Sequence, residues 1–292
     1  MIRREPPSSR PAGPQSGPVT VAAPETRRCP LVFASPHSGR DYSTDLMAWT
    51  RLDLKTLRRS EDAYVDALVA DAPRYGAPLI TAHFPRVFLD PNRAPGELDA
   101  AMFDPPVPAG GPVSPRAAAG LGVIPRLAAD GRDLYPGRLP LAEAHRRLDG
   151  LYTPYHAAVK REMAATKAVF GEAVLIDCHS MPSASARGAD IVLGDRYGAS
   201  CSRAMIARAE AAFRDQGFAV VRNRPYAGAY TTEHYGRPAA GMQALQVEIN
   251  RGLYLDELKV ETSGGFEPLR RAIEIWIAAM TEQSGDHRAA AE

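Results

Sequence analysis

Seven short apolar runs punctuate the chain: "LVFAS" (31–35), "PLITA" (78–82), "RVFL" (86–89), "AVLIDC" (173–178), "DIVLG" (190–194), "FAVV" (218–221) and "ALQVEI" (244–249). They are rich in Val, Ile and Leu and hardly alternate with polar residues. That is the pattern of strands covered on both faces. Helical patterns lie between them. "SEDAYVDALVADAPRYG" offers Ser60 as an N-cap, acids in its first turn and an apolar side at Val65, Leu68, Val69 and Ala72. "LPLAEAHRRLDGLYTPYHAAVKREMAATKAVFG" is long and interrupted at Gly150 and Pro154. "SCSRAMIARAEAAFRDQG" and "GGFEPLRRAIEIWIAAMTEQ" are amphipathic at helical spacing. Strands alternating with helices predict an α/β fold: a three-layer sandwich around a central mixed, mostly parallel sheet.

The 292 residues suit one large domain. Residues 1–28, rich in Pro, Ser, Arg and Gly, are expected to be a flexible tail. A single catalytic domain is expected over 29–283, followed by a flexible C-terminus over 284–292. Within the domain, residues 94–140 are full of Pro, Gly and Ala with little periodicity. So long a segment reads as a loop covering one end of the sheet.

Charge and cysteine content narrow the function. A net charge of +1, with no basic cluster interleaved with aromatics on an ordered segment, argues against a nucleic-acid partner and an anionic membrane. No apolar stretch approaches the roughly 18 residues of a membrane span. The N-terminal "MIRREPPSSRPAGPQSGPVT" has no apolar core of a secretory signal. Cys29, Cys178 and Cys201 make neither a CxxC pair nor a disulfide framework, which fits a reducing, cytoplasmic setting. Nothing in the sequence sets the oligomeric state.

In open α/β sheets, ligands bind beyond the carboxyl ends of the strands. His37 follows "LVFAS", in the turn "PHSG". Asp177, Cys178, His179 and Ser180 follow "AVLI". Asn92 and Arg93 follow "RVFLDP", and Glu248, Asn250 and Arg251 lie in or after "ALQV". His37 and His179 are natural ligands for a catalytic metal, which a carboxylate would complete. Glu61 and Asp62 are candidates, although acids in that position also suit a helix N-terminus. Asp177 shares a strand face with His179 and either orients its imidazole or is itself a ligand. Glu248, a carboxylate in an apolar strand, is costly to bury unless it is paired or functional.

With these residues in hand, the chain resembles the N-formylglutamate amidohydrolase (N-formylglutamate deformylase) family. The resemblance rests on "PHSG", the acid in "SEDAYVD", "RVFLDPNR", "GLGVIPR", "YTPYH", "DCHSMP", "GAYTTEHYG" and "LQVEINRGLY", in that order. It implies a fold distantly related to the zinc carboxypeptidases and one catalytic zinc. His37, Asp62 and His179 would be the ligands, with Glu61 as the fallback for Asp62. Glu248 would be the general base. Asn92 and Arg93 would hold a substrate carboxylate and Arg251 a second one. Arg86 or His234 would stabilise the oxyanion, and Tyr230 and Thr232 would line the pocket. Glu233 departs from the family pattern, which carries a basic residue before "HYG". The implied reaction is hydrolysis of N-formyl-L-glutamate to formate and L-glutamate, in histidine degradation. Another N-acyl amino acid or short peptide, or a non-catalytic zinc- or ligand-binding role on the same fold, are the alternatives.

Overall fold

The computed structural model describes residues 17–108 and 114–282. Seven strands form its main sheet: β1 (Val19–Ala22), β2 (Leu31–Ser35), β3 (Leu79–Ala82), β4 (Ala173–Met181), β5 (Ile191–Gly194), β6 (Val220–Arg222) and β7 (Met242–Asn250), in the order β1-β3-β2-β4-β7-β5-β6. β3, β2, β4 and β7 run parallel. β1 is antiparallel to β3, and β5 is antiparallel to β7. The sheet is thus mixed and mostly parallel.

Neighbouring residues of the inner strands feed different cores, which explains the continuous apolar runs. Leu31 and Phe33 of β2 join one buried cluster, and Val32 and Ala34 join another on the opposite face. On the first face lie helices α2 (Arg203–Arg214) and α4 (Phe266–Glu282). Trp276 there stacks on Phe213 with ring centroids 4.6 Å apart and donates its indole N–H to the Ala209 carbonyl. On the second face lies helix α1 (Thr153–Phe170), together with residues from the 94–140 excursion. A helix over Leu141–Arg147 leads into α1 through a π turn at Leu148–Tyr152, which contains Gly150. Pro154 sits in the first turn of α1, where its missing N–H is harmless.

Three expectations need correction. "RVFL" is not a strand: Arg86–Phe88 is a turn after Pro85, closed by the Phe88 N–H on the Pro85 carbonyl. The helix expected from Ser60 does not start there. Tyr64 takes a left-handed conformation with φ 63°, and only Val65–Leu68 is α-helical, with a 3₁₀ helix following at Ala72–Tyr75, so Glu61 and Asp62 lie in the preceding loop. The segment before Cys29 is not all tail. β1 pairs with β3, and Arg27 bonds Glu162 and Thr166 of α1. Residues 1–16 and the expected C-terminus over 284–292 lie outside the described residues.

Candidate active site

The carboxyl ends of β2, β4 and β7 open into a cavity of about 460 Å³. β4 and β7 are in register, with His179 opposite Glu248 and Asp177 opposite Gln246. The pleat turns all four side chains to the α1 face of the sheet. His37 comes from the turn after β2. That turn needs Gly39, because a Cβ there would lie 2.2 Å from the Phe84 carbonyl oxygen. The His37 carbonyl accepts the Asp62 N–H at 3.0 Å, which fixes the Asp62 loop on the imidazole.

His37, Asp62 and His179 are all buried and converge. The two Nδ1 atoms are 3.1 Å apart, and Asp62 Oδ2 is 3.0 Å from His179 Nδ1 and 3.3 Å from His37 Nδ1. Each imidazole is held from its other side: His37 Nε2 lies 2.7 Å from Asp90 Oδ1, and His179 Nε2 lies 2.9 Å from Asp177 Oδ2. Both outer carboxylates accept only, so both protons belong on Nε2 and both Nδ1 lone pairs point inward. Two imidazole lone pairs and a carboxylate oxygen in mutual contact repel unless positive charge lies among them. A single proton serves one pair; a divalent cation serves all three. The residues therefore fit a metal, with the carboxylate–histidine support that metal ligands use. Burial would lower the His179 pKa, but Asp177 and Asp62 outweigh it and raise it, the same demand for positive charge.

Glu61, the fallback, turns away, accepting from Tyr42 Oη at 2.8 Å and from Arg58 at 3.2 Å. Arg251 is fully engaged with the protein. It donates to Ser180 Oγ, the Arg59 carbonyl and Asp62 Oδ1, the last at 2.9 Å. It thus tethers the third donor, and with the Ser180 carbonyl also accepting from Nη2 only one N–H, on Nη1, is left over, too little for the bidentate grip on a second substrate carboxylate that the resemblance implies. Asn92 is likewise occupied: its Oδ1 accepts the Thr231 N–H at 2.8 Å, and its Nδ2 faces Asp177 and His179. Arg86 lines the cavity and bonds Asp90 Oδ2 at 2.9 Å.

Glu248 is 7% exposed and accepts from Gln246 Nε2 at 2.8 Å. Burial pushes its carboxyl up to about 7, with His179 pulling down and Asp62 adding to the rise. A carboxylate that holds and releases protons near neutrality beside the triad suits general-base work.

Tyr230, Thr232 and His234 are not among the residues lining the cavity. They belong to helix α3 (Tyr230–Tyr235), in which the Tyr230 hydroxyl lies 3.2 Å from His234 Nδ1. The cavity wall is instead the segment before α3, Pro225–Ala229. Glu233 also points away, its side chain 61% exposed and paired with Arg196. Sequence reasoning missed four contributors. Asp90 orients His37, Gln246 positions Glu248, and Arg116 lines the cavity from the excursion. His156 donates Nε2–H to the Pro91 carbonyl and accepts from the Tyr235 hydroxyl, holding the turn that carries Asn92. "RVFLDP" and "YTPYH" contained two of these, but nothing local says which partner they meet.

A family model described as N-formylglutamate amidohydrolase matches residues 29–255. The chain is 34% identical over 238 residues to an N-formylglutamate deformylase of Pseudomonas aeruginosa, covering 79% of this chain and 84% of the relative. It is 29% identical to one of Pseudomonas putida, covering 79% and 83%. The crystal structure of an N-formylglutamate amidohydrolase from Ralstonia eutropha JMP134 superposes with a TM-score of 0.87 at 35% identity, over 93% of this chain and 99% of that one. A gene product of Agrobacterium tumefaciens, Atu2144, shares the fold with a TM-score of 0.62 at 18% identity, over 92% of this chain and 96% of that one.

Proposed function

The chain belongs to the N-formylglutamate amidohydrolase family, hydrolases of a non-peptide C–N bond, and on that premise we propose that it cleaves N-formyl-L-glutamate to formate and L-glutamate. The observation that carries the substrate is the charge of the cavity. Arg59, Arg86, Arg93, Arg116 and Arg251 line it against Asp62, Asp90 and Glu248, a surplus of positive charge that suits a substrate with two carboxylates. The reaction fits the closing step of a histidine-degradation route.

His37, Asp62 and His179 would hold a divalent metal, and their N/N/O donor set suits zinc. Such an ion supplies Lewis acidity, polarising a carbonyl and acidifying water. The rest belongs to the chain. Glu248 takes the proton of the attacking water and returns it to the departing nitrogen, while Gln246 fixes one carboxylate oxygen and leaves the other for the water. Arg86, at the wall, donates to the oxygen that gains charge as the formyl carbon becomes tetrahedral. Arg93 receives the α-carboxylate, setting the formyl group within reach of Glu248.

The test is formate release by metal-quantified protein from a panel of N-formyl and N-acetyl amino acids. N-formyl-L-glutamate should be the best substrate. Fully loaded protein that ignores it and cleaves a neutral or basic relative would overturn the substrate while leaving the base and ligands in place.

A further inference from the structure

The cavity arginines divide into two groups. Arg86 and Arg251 are engaged with Asp90 and Asp62. Arg59, Arg93 and Arg116 have no acid partner among the described residues. Arg93 stands out further, because its Nε is buried with no hydrogen-bond partner. Burial lowers its pKa; Asp90 opposes this, and Arg116 and Arg86 add to the lowering. Arg93 and Arg116 both line the cavity, and the charge of Arg116 is among those that Arg93 feels. The nearby acid Glu97 is already occupied: Oε1 accepts the Ala94 N–H and Oε2 accepts the Ser114 hydroxyl. Ser114 caps the turn Pro115–Ala118 that carries Arg116. Glu97 thus ties the Arg116 turn to the backbone that follows Arg93, with its two oxygens held by Ala94 and Ser114.

Two guanidinium groups without an acid partner that line one cavity make an anion receptor. We propose that Arg116 receives the side-chain carboxylate of the substrate while Arg93 holds the α-carboxylate, so that Arg116 is the residue that selects an acidic amino acid. This rests on the deformylase reading above and deepens it. It also accounts for Glu233. The basic residue expected there is absent, but position 233 faces away from the cavity and pairs with Arg196, so the selecting charge comes from the 94–140 excursion instead.

The experiment compares kcat/KM for N-formyl-L-glutamate with that for its neutral isostere N-formyl-L-glutamine, in the wild type and in Arg116→Gln, Arg116→Lys, Arg59→Gln and Arg93→Gln. Arg116 is exposed and pairs with no acid among the described residues, so its variants should fold. Loss of one charge-assisted contact should lower the glutamate-to-glutamine ratio about tenfold or more in Arg116→Gln, mostly through KM, with partial recovery in Arg116→Lys. Arg93→Gln should weaken both substrates together and leave the ratio near its starting value. An unchanged ratio in Arg116→Gln, or a collapse in Arg59→Gln instead, overturns the assignment while wild-type turnover of N-formyl-L-glutamate upholds the deformylase reading. Wild-type protein that cleaves neither compound overturns both.

Discussion

Glu248 and His179 face each other on adjacent strands, so the proposed base is set against a ligand by backbone register rather than by a flexible loop. Glu248→Gln removes the proton acceptor and keeps the shape. Turnover should fall about a hundredfold to ten-thousandfold, while metal content, read by elemental analysis, stays at the wild-type level. Arg251 acts one step further out. Arg251→Met leaves Asp62 without its 2.9 Å partner, and metal affinity in a chelator competition should drop about tenfold to a hundredfold. His156 gives a pH-dependent prediction. Burial pushes its pKa from 6.5 to about 4. The folded state therefore refuses a proton that the unfolded chain accepts, and stability must rise with pH across that window. The contribution is complete above about 6.5 and is lost as pH falls toward about 4, up to about 3 kcal/mol. Urea midpoints at pH 7 and pH 4.5 should differ more for the wild type than for His156→Gln; equal differences would remove His156 from this role.

Two segments between strands help to shape the cavity, alongside the 94–140 excursion. The left-handed Tyr64 ends the loop that presents Asp62, and Pro225–Ala229 forms the wall before α3. That wall packs against β5 at Gly194, where a Cβ would lie 2.7 Å from the Ala227 carbonyl carbon and 2.8 Å from the Gly228 nitrogen. Gly194→Ala should push the wall inward and destabilise the protein by about 1–3 kcal/mol. A fall in kcat/KM at temperatures where the variant is still fully folded is the expected signature. These elements also show what could be read in advance. The buried strands were legible because burial on both faces leaves a run of Val, Ile and Leu. His37, His179 and Glu248 were legible because polar groups at such strand ends have few other reasons to be there. The helix at Ser60 was misread because its capping pattern is local, whereas the Asp62 N–H bond to the His37 carbonyl and the turn at Tyr64 are settled by tertiary contact. Arg251 looked free for substrate because the sequence does not reveal that Ser180, Arg59 and Asp62 already occupy it.

Across the whole molecule, a turn, a loop and a strand far apart in sequence supply the three proposed ligands, so metal binding and folding would be coupled. Without an ion among them, three mutually repelling donors would face one another at the carboxyl ends of the strands. Chelation should lower the melting temperature and abolish turnover together, and added zinc should restore both. Free metal at a thousandfold excess over its Kd is worth about 4 kcal/mol to the native state. Turnover that survives complete metal removal would sink the metal assignment. The outer strand β1 has a different consequence. It covers the free hydrogen-bonding side of β3, and the adjoining Arg27 anchors it to α1. Without it, β3 would offer a bare row of amide and carbonyl groups, a template on which another chain can add. A protein shortened to begin at Cys29 should therefore keep its catalytic residues and lose its solubility, with self-association through β3 visible by light scattering before any change in the active site.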